Sequence, residues 1–235
     1  MIYGTPTIQT NGLVLNLDAA NTKSYLKSGT IWSDLSRNNN TGSLVNGPTF
    51  SSDSGGGIVF DGVDDYCNIP VSSVPTGSEI TISFWTKVNT IKVSGIFSAY
   101  NSIGDRQLNI HLPWIDNVVY WDCGSVGSTY DRINTATLTI EQRTGWHNWS
   151  FTKNATIGTM IIYLDGSNIA SGTGKTATID TISTASHPCA MARFFANSTE
   201  YYSGNVSNML MYNRALTAQE VLQNYNALKS RFNLK

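Results

Sequence analysis

The chain has 235 residues, a formal net charge of −1, 40% apolar residues and only 13% charged residues. Soluble domains average about 25% charged residues, and here Ser, Thr and Asn, 75 residues together, take their place. The charge balance offers no basic footprint for nucleic acid or an anionic membrane, and 11% aromatic residues with six Trp exclude a disordered polar chain.

Residues 1–12 are polar and read as an extended N-terminal arm, suited to attachment or to a swapped edge strand. They contain no basic segment followed by an apolar run, and no stretch of the chain approaches the about 20 continuous apolar residues of a membrane span. The expectation is a chain without signal peptide or transmembrane segment. Residues 13–235 then read as one domain, a length ordinary for a single all-β fold.

Leu13, Leu15 and Leu17 alternate with smaller or polar neighbours, the period-two pattern of a half-buried strand. Residues 19–50 read as loop, rich in Ser, Asn and Gly, with turn signals at 38–42 and 46–48. Residues 58–60 and 66–69 read as strands joined by Asp61-Gly62-Val63-Asp64-Asp65, a tight hairpin or a corner. The clearest strand is 79–88, where Ile80, Ile82, Phe84, Thr86 and Val88 alternate with Thr81, Ser83, Trp85 and Lys87. Further strands are expected at 95–100, 107–112, 118–123, 146–153, 159–165, 169–171, 177–182, 189–195 and 201–212. Short strands at this spacing, divided by Gly, Asn and Ser, predict an antiparallel two-sheet β-sandwich.

One helix is expected, over 217–232. Thr217-Ala218-Gln219-Glu220 is a capping box, and Val221, Leu222, Tyr225, Leu228 and Phe232 follow at helical spacing. Cys67, Cys123 and Cys189 are far apart and odd in number, so they read as free thiols.

Several stretches carry a resemblance. They are Gly12-Leu13-Val14-Leu15-Asn16-Leu17-Asp18-Ala19-Ala20-Asn21, Trp32-Ser33-Asp34-Leu35-Ser36, and Val59-Phe60-Asp61-Gly62-Val63-Asp64-Asp65-Tyr66. Ile80 to Trp85, Trp146-His147-Asn148-Trp149, Tyr163-Leu164-Asp165-Gly166 and Tyr212 to Thr217 complete the set. In this order and spacing they resemble the laminin G-like, concanavalin A-like jelly rolls, in particular the pentraxin-like branch found in bacterial surface proteins and phage structural proteins. The resemblance implies an all-β jelly roll with Trp146 and His147 opening a core strand rather than acting in chemistry.

The fold also hosts glycoside hydrolases, which need paired carboxylates; their Glu-x-Asp-x-x-Glu pattern is absent, and glutamate occurs only at Glu79, Glu141, Glu200 and Glu220. The expectation is a non-enzymatic chain with no required cofactor. Relatives bind calcium at the sandwich rim, and here Asp18, Asn21, Asp61, Asp64 and Asp65 are the oxygen donors such an ion would use; the alternative is that they hold turn backbone. For a glycan, which needs an aromatic platform beside polar groups, the segment 111–132 supplies Trp114, Tyr120, Trp121, Asp122, Tyr130, Asp131 and Arg132. Phe194, Phe195, Tyr201 and Tyr202 form a second aromatic group; each of these rings is equally a candidate for core or interface.

The resemblance of residues 12–21 to phage structural proteins leads to the functional expectation: a virion surface module, decorating a capsid or part of a fibre, with weak binding to host-surface glycan. Its partners would then be capsid or tail proteins, and a homo-oligomer, a trimer in first place, is expected. The alternative is a calcium-dependent, carbohydrate-binding lectin-like domain.

Overall fold

The computed structural model describes residues 6–126, 129–185, 187–194 and 199–234. The strands in chain order are β1 (Leu13–Asp18), β2 (Ile31–Trp32), β3 (Gly42–Val45), β4 (Thr49–Ser51), β5 (Gly57–Asp61), β6 (Tyr66–Asn68), β7 (Glu79–Thr90) and β8 (Phe97–Tyr100). They continue with β9 (Arg106–His111), β10 (Tyr120–Val126), β11 (Thr129–Asn134), β12 (Trp146–Asn154), β13 (Thr159–Leu164), β14 (Ser167–Gly172), β15 (Ala190–Met191) and β16 (Ser203–Tyr212). A helical turn, α1 (Ile140–Arg143), precedes β12, and α2 (Ala218–Leu228) closes the chain and runs into a 3₁₀ turn at Lys229–Phe232.

The strands form two antiparallel sheets, as the alternation predicts. The first runs β14-β13-β12-β7-β16-β5-β4, with β1 pairing β16 in line with β5. The second runs β11-β10-β9-β8-β15-β6-β3-β2. Between them lies one core that includes Leu15, Leu17, Phe60, Ile82, Phe84, Trp121, Phe151, Ile162 and Met211, all buried. The Asp61–Asp65 link proves to be a corner: β5 belongs to the first sheet and β6 to the second. Gly62 sits there at φ +78°, and a Cβ on it would lie 2.7 Å from that of Ser203, so only glycine fits.

β7 is buried on both faces because α2 and the 3₁₀ turn cover its outer side. Trp85 stacks on Phe232 with ring centroids 4.0 Å apart and on Tyr225 at 5.7 Å. The capping box forms as expected: Thr217 accepts from the Glu220 amide, and Glu220 returns a bond to the Thr217 amide. Glu220 also takes both ends of the Arg214 guanidinium at 2.8 Å; that pairing, with the cap bonds, pulls its carboxyl down to about 2 against the cost of burial. Of the arm, residues 7–11 lie along this layer. Gln9 N–H donates to Asn224 Oδ1 at 2.8 Å, and Gln9 O accepts from the Tyr212 hydroxyl at 3.0 Å.

The structure differs from the sequence reading at 19–50, which holds β2, β3 and β4, and at 129–134, which is β11. These strands are short or weakly alternating: β2 pairs with β3, β3 also with β6, β4 with β5, and β11 with β10 across a bulge. Residues 177–182 contribute only an isolated bridge, Gly77 to Ile179. All three cysteines are buried and free. No described helix is long and apolar enough to cross a membrane.

Candidate functional site

The outer face of β9, β10 and β11 carries the residues of interest. In the ladder Tyr120 lies opposite His111, and Asp122 lies opposite both Asn109 and Arg132. Alternation sends Tyr120 and Asp122 outward, together with Arg132 and Tyr130 of β11, and turns Trp121 and Cys123 inward.

Trp121 is therefore not a sugar platform. It is fully buried between the sheets, 5.7 Å from the Phe151 ring, and no ligand can reach it. The expectation failed because alternation says which side chains share a face and not which face turns to the core. Asp131 also leaves the candidate set, since it pairs with the buried Lys153 at 2.6 Å and accepts from the Ala177 amide.

Asp122 is outward yet fully buried, because two arginines close over it. Arg132 donates through Nε at 2.6 Å and Nη2 at 2.9 Å, and Arg106 donates through Nη1 at 2.6 Å. Each guanidinium also lies over aromatic rings: Arg106 on Tyr130 and Phe194 at 4.7 and 5.1 Å, Arg132 on Tyr120 and Tyr130 at 5.0 and 5.2 Å. The bond to Asp122 outweighs burial and pushes the Arg132 guanidinium further up. The Tyr120 hydroxyl donates to Asp116 Oδ2 at 2.7 Å, and that bond raises the phenol above its ordinary range.

Trp114 stands at the rim of the same face. Its turn is closed by bonds from its amide to Val118 O and from the Asn117 amide to Trp114 O, both 2.9 Å, with Asn117 at φ +63°. The Leu138 amide and the Arg143 guanidinium hold Asn117 from the α1 side. His111 and Phe194 meet the indole edge-on, at 68° and 81°, so neither stacks flat against it. His111 itself is buried; Nδ1 donates to Ser94 O at 2.7 Å, and Nε2 accepts from the Asn109 amide at 2.7 Å. Burial lowers its pKa to about 4, so the ring is neutral.

These groups surround an open cleft of about 280 Å³ lined by Arg106, His111, Trp114, Tyr120, Tyr130, Arg132 and Phe194. Of the sequence candidates, Trp114, Tyr120, Tyr130 and Arg132 line it and Asp122 supports it from beneath. Arg106 carries no signal of its own in the sequence: it stands just before the strand expected at 107–112 and proves to be the first residue of β9. Phe194 was assigned to a separate group, and nothing local links a residue at 194 to one at 106. Phe195 of that group lies outside the described residues.

The calcium donors do not assemble into one site. Asp18 pairs with Asn208 and Asp61 with Ser203 on the same strand, β16, which separates them by about 15 Å at the usual strand rise. Asp18 is held by both ends of Arg231 at 2.8 and 3.0 Å, and Asn21 Oδ1 accepts from the Lys23 amide. Asp61, Asp64 and Asp65 do cluster, within 4.8 Å. Yet Asp61 Oδ1 takes the Val63 amide, Asp65 Oδ2 takes the Asp61 amide, and the Lys92 ammonium sits 2.6 Å from Gly62 O. Backbone amides thus take one oxygen each of Asp61 and Asp65, the turn-holding role expected as the alternative to an ion.

Trp146 and His147 open β12 in structural roles. Trp146 packs on Phe232 and donates to Asp53. His147 faces three acceptors: Asp165 Oδ2 at 2.7 Å, Glu141 O at 2.9 Å and Thr144 O at 3.0 Å.

The two antiparallel sheets, the corner at Gly62 and the aromatic cleft on one outer face define a lectin-type jelly-roll β-sandwich. The chain belongs to the concanavalin A-like lectin/glucanases superfamily, whose laminin G family model matches residues 61–222. No curated protein sequence matches the chain. Among solved structures, the binding domain of Paraclostridial Mosquitocidal Protein 1 superposes with a TM-score of 0.68 at 19% identity, over 93% of this chain and 52% of that one. The binding domain of Botulinum Neurotoxin DC in complex with SialylT gives 0.70 at 15% identity, over 93% and 52%. Domain 4 of AbnA, a GH43 extracellular arabinanase from Geobacillus stearothermophilus, in complex with arabinotriose, gives 0.67 at 16% identity, over 91% and 98%. The chain thus spans about half the length of the toxin domains and nearly all of the arabinanase domain. These likenesses establish the fold, and they give no support to the phage-type expectation.

Proposed function

We propose that this chain is a non-enzymatic binding module that takes a glycan on the outer face of β9, β10 and β11. The observation that carries the reading is the cleft in which Trp114, Tyr120 and Tyr130 surround two arginines fixed on buried Asp122. An indole on which no ring among the described residues stacks flat suits the apolar face of a sugar, and the remaining guanidinium N–H groups suit its hydroxyls. Two similar folds, the arabinanase domain and the neurotoxin domain, are described in complex with arabinotriose and with SialylT.

The absence of chemistry rests on the acids. Among the described residues no carboxylate lines the cleft. Glu79 is bound to Asn154 and the Ala215 amide, and Glu220 to Arg214 and Thr217. A hydrolase would need two carboxylates flanking the sugar. The test is a glycan array probed with the native protein and with Trp114→Ala. Loss of signal in the variant supports the reading; full retention removes this cleft from it.

Carriage on a virion, with capsid or tail proteins as partners and a trimeric assembly, is the finer part of the proposal and draws on the likeness of residues 12–21 alone. Co-sedimentation with particles and light scattering test it: a monomer with no affinity for particles ends it.

A further inference from the structure

Building on the glycan reading, we propose that this cleft selects uncharged sugars and discriminates against acidic ones, with Asp122 and Asp116 as the residues that set the preference. A cleft lined by two arginines resembles an anion site, but the charges around it are already matched. Asp122 lies directly beneath both guanidiniums and accepts from each. Glu200 is close enough to Arg106 for their charges to interact. Asp116 sits at the rim, on the Tyr120 hydroxyl.

His111 adds nothing to the positive side, because its Nε2 accepts the Asn109 amide. Arg143 is turned to Asn117, and Arg193 lies over Tyr66 and Tyr201, outside the cleft lining. The two guanidiniums therefore already have Asp122 beneath them and Asp116 at the rim. A ligand carboxylate would compete with Asp122 for N–H groups and meet repulsion from it and from Asp116. A hydroxyl, both donor and acceptor, meets neither cost. Selectivity of this kind comes from the repulsive element as much as from the attractive one. With its guanidinium carbon over two tyrosine rings and with Nε and Nη2 bonded to Asp122, Arg132 is partly exposed, its side chain 37% accessible. It thus acts as a rigid hydrogen-bond donor rather than as a free charge.

The test is an array of neutral oligosaccharides, each printed beside its sialylated, uronate or sulfated counterpart, followed by titration of the best neutral member across salt. The expected result is binding of neutral members, at least about tenfold weaker binding of their acidic counterparts, and affinity that changes by less than about twofold between low and high salt. Asp116→Asn keeps one oxygen to accept from the Val118 amide, places an NH2 that can donate to the Tyr120 hydroxyl where the second oxygen accepted from it, and removes one negative charge, so it should narrow the gap between the two classes. Stronger binding of the acidic members, falling with salt, overturns this inference and leaves the glycan reading intact. An array silent for both classes overturns the glycan reading and the inference together.

Discussion

Asp122 and Arg132 face each other across the β10–β11 ladder, and the carboxylate takes two guanidinium N–H groups at 2.6 and 2.9 Å while fully buried. Arg106 adds a third bond from β9. Three strands are thus tied by one acid at the floor of the cleft. Removing one partner of a buried ion pair costs about 3–5 kcal/mol, because the other is left uncompensated. Asp122→Ala should fall near the lower end, since Arg132 is partly exposed. Urea denaturation checks this, and a loss below about 1 kcal/mol would mean that the network is not holding the strands.

The two tryptophans of this region should separate cleanly. Trp121→Ala opens a cavity between the sheets and should cost about 3–5 kcal/mol. Trp114→Ala touches the rim and should change stability by less than about 1 kcal/mol while abolishing glycan binding. Thermal melts and binding on the same preparations decide it; equal destabilisation by both would place Trp114 in the core.

Stability should depend on the protonation of His147. Burial opposes the charged ring, but Asp165 and the carbonyls of Glu141 and Thr144 more than offset it and raise the pKa. A raised folded-state value means that this stabilisation is fully present below the unfolded value, about 6.5, and is lost as pH rises through the folded value. The melting temperature of the native chain should therefore decline across that window relative to His147→Gln. Parallel pH profiles for the two would remove the ring from the account.

Chelation should leave the melting temperature unchanged, and so should added calcium. A metal bound only by the folded state must raise stability, and of the expected donors Asp18 is held by Arg231 while Asp61 and Asp65 each accept a backbone amide. A calcium-dependent rise would show that the Asp61, Asp64 and Asp65 cluster opens to admit an ion.

Much of this architecture was legible along the chain. The strands expected at 79–88 and 201–212 are found at 79–90 and 203–212, and the Thr217 to Glu220 capping box located α2. A second capping box, Thr139 to Gln142, marks α1 in the same way. The short strands β2, β3 and β4 were hidden because two to four residues are too few to show alternation, and β3 takes one ladder from β6, beyond β4 and β5 in the chain.

The sequence by itself determined the class of fold: a chain poor in charge and rich in Ser, Thr and Asn, with alternating strands divided by turn residues, has a sandwich surface and one apolar interior. It also placed most of the cleft residues in one segment. Only the tertiary structure decided which of two adjacent candidates was usable. Alternation in β10 separates Tyr120 and Asp122 from Trp121 and Cys123, but which pair turns inward depends on where the first sheet lies. It likewise took the assembled ladder to bring Arg106 and Phe194 to Arg132 and to bury Asp122 on an outward face. Those contacts join residues far apart in sequence, and local chemistry carries no record of them.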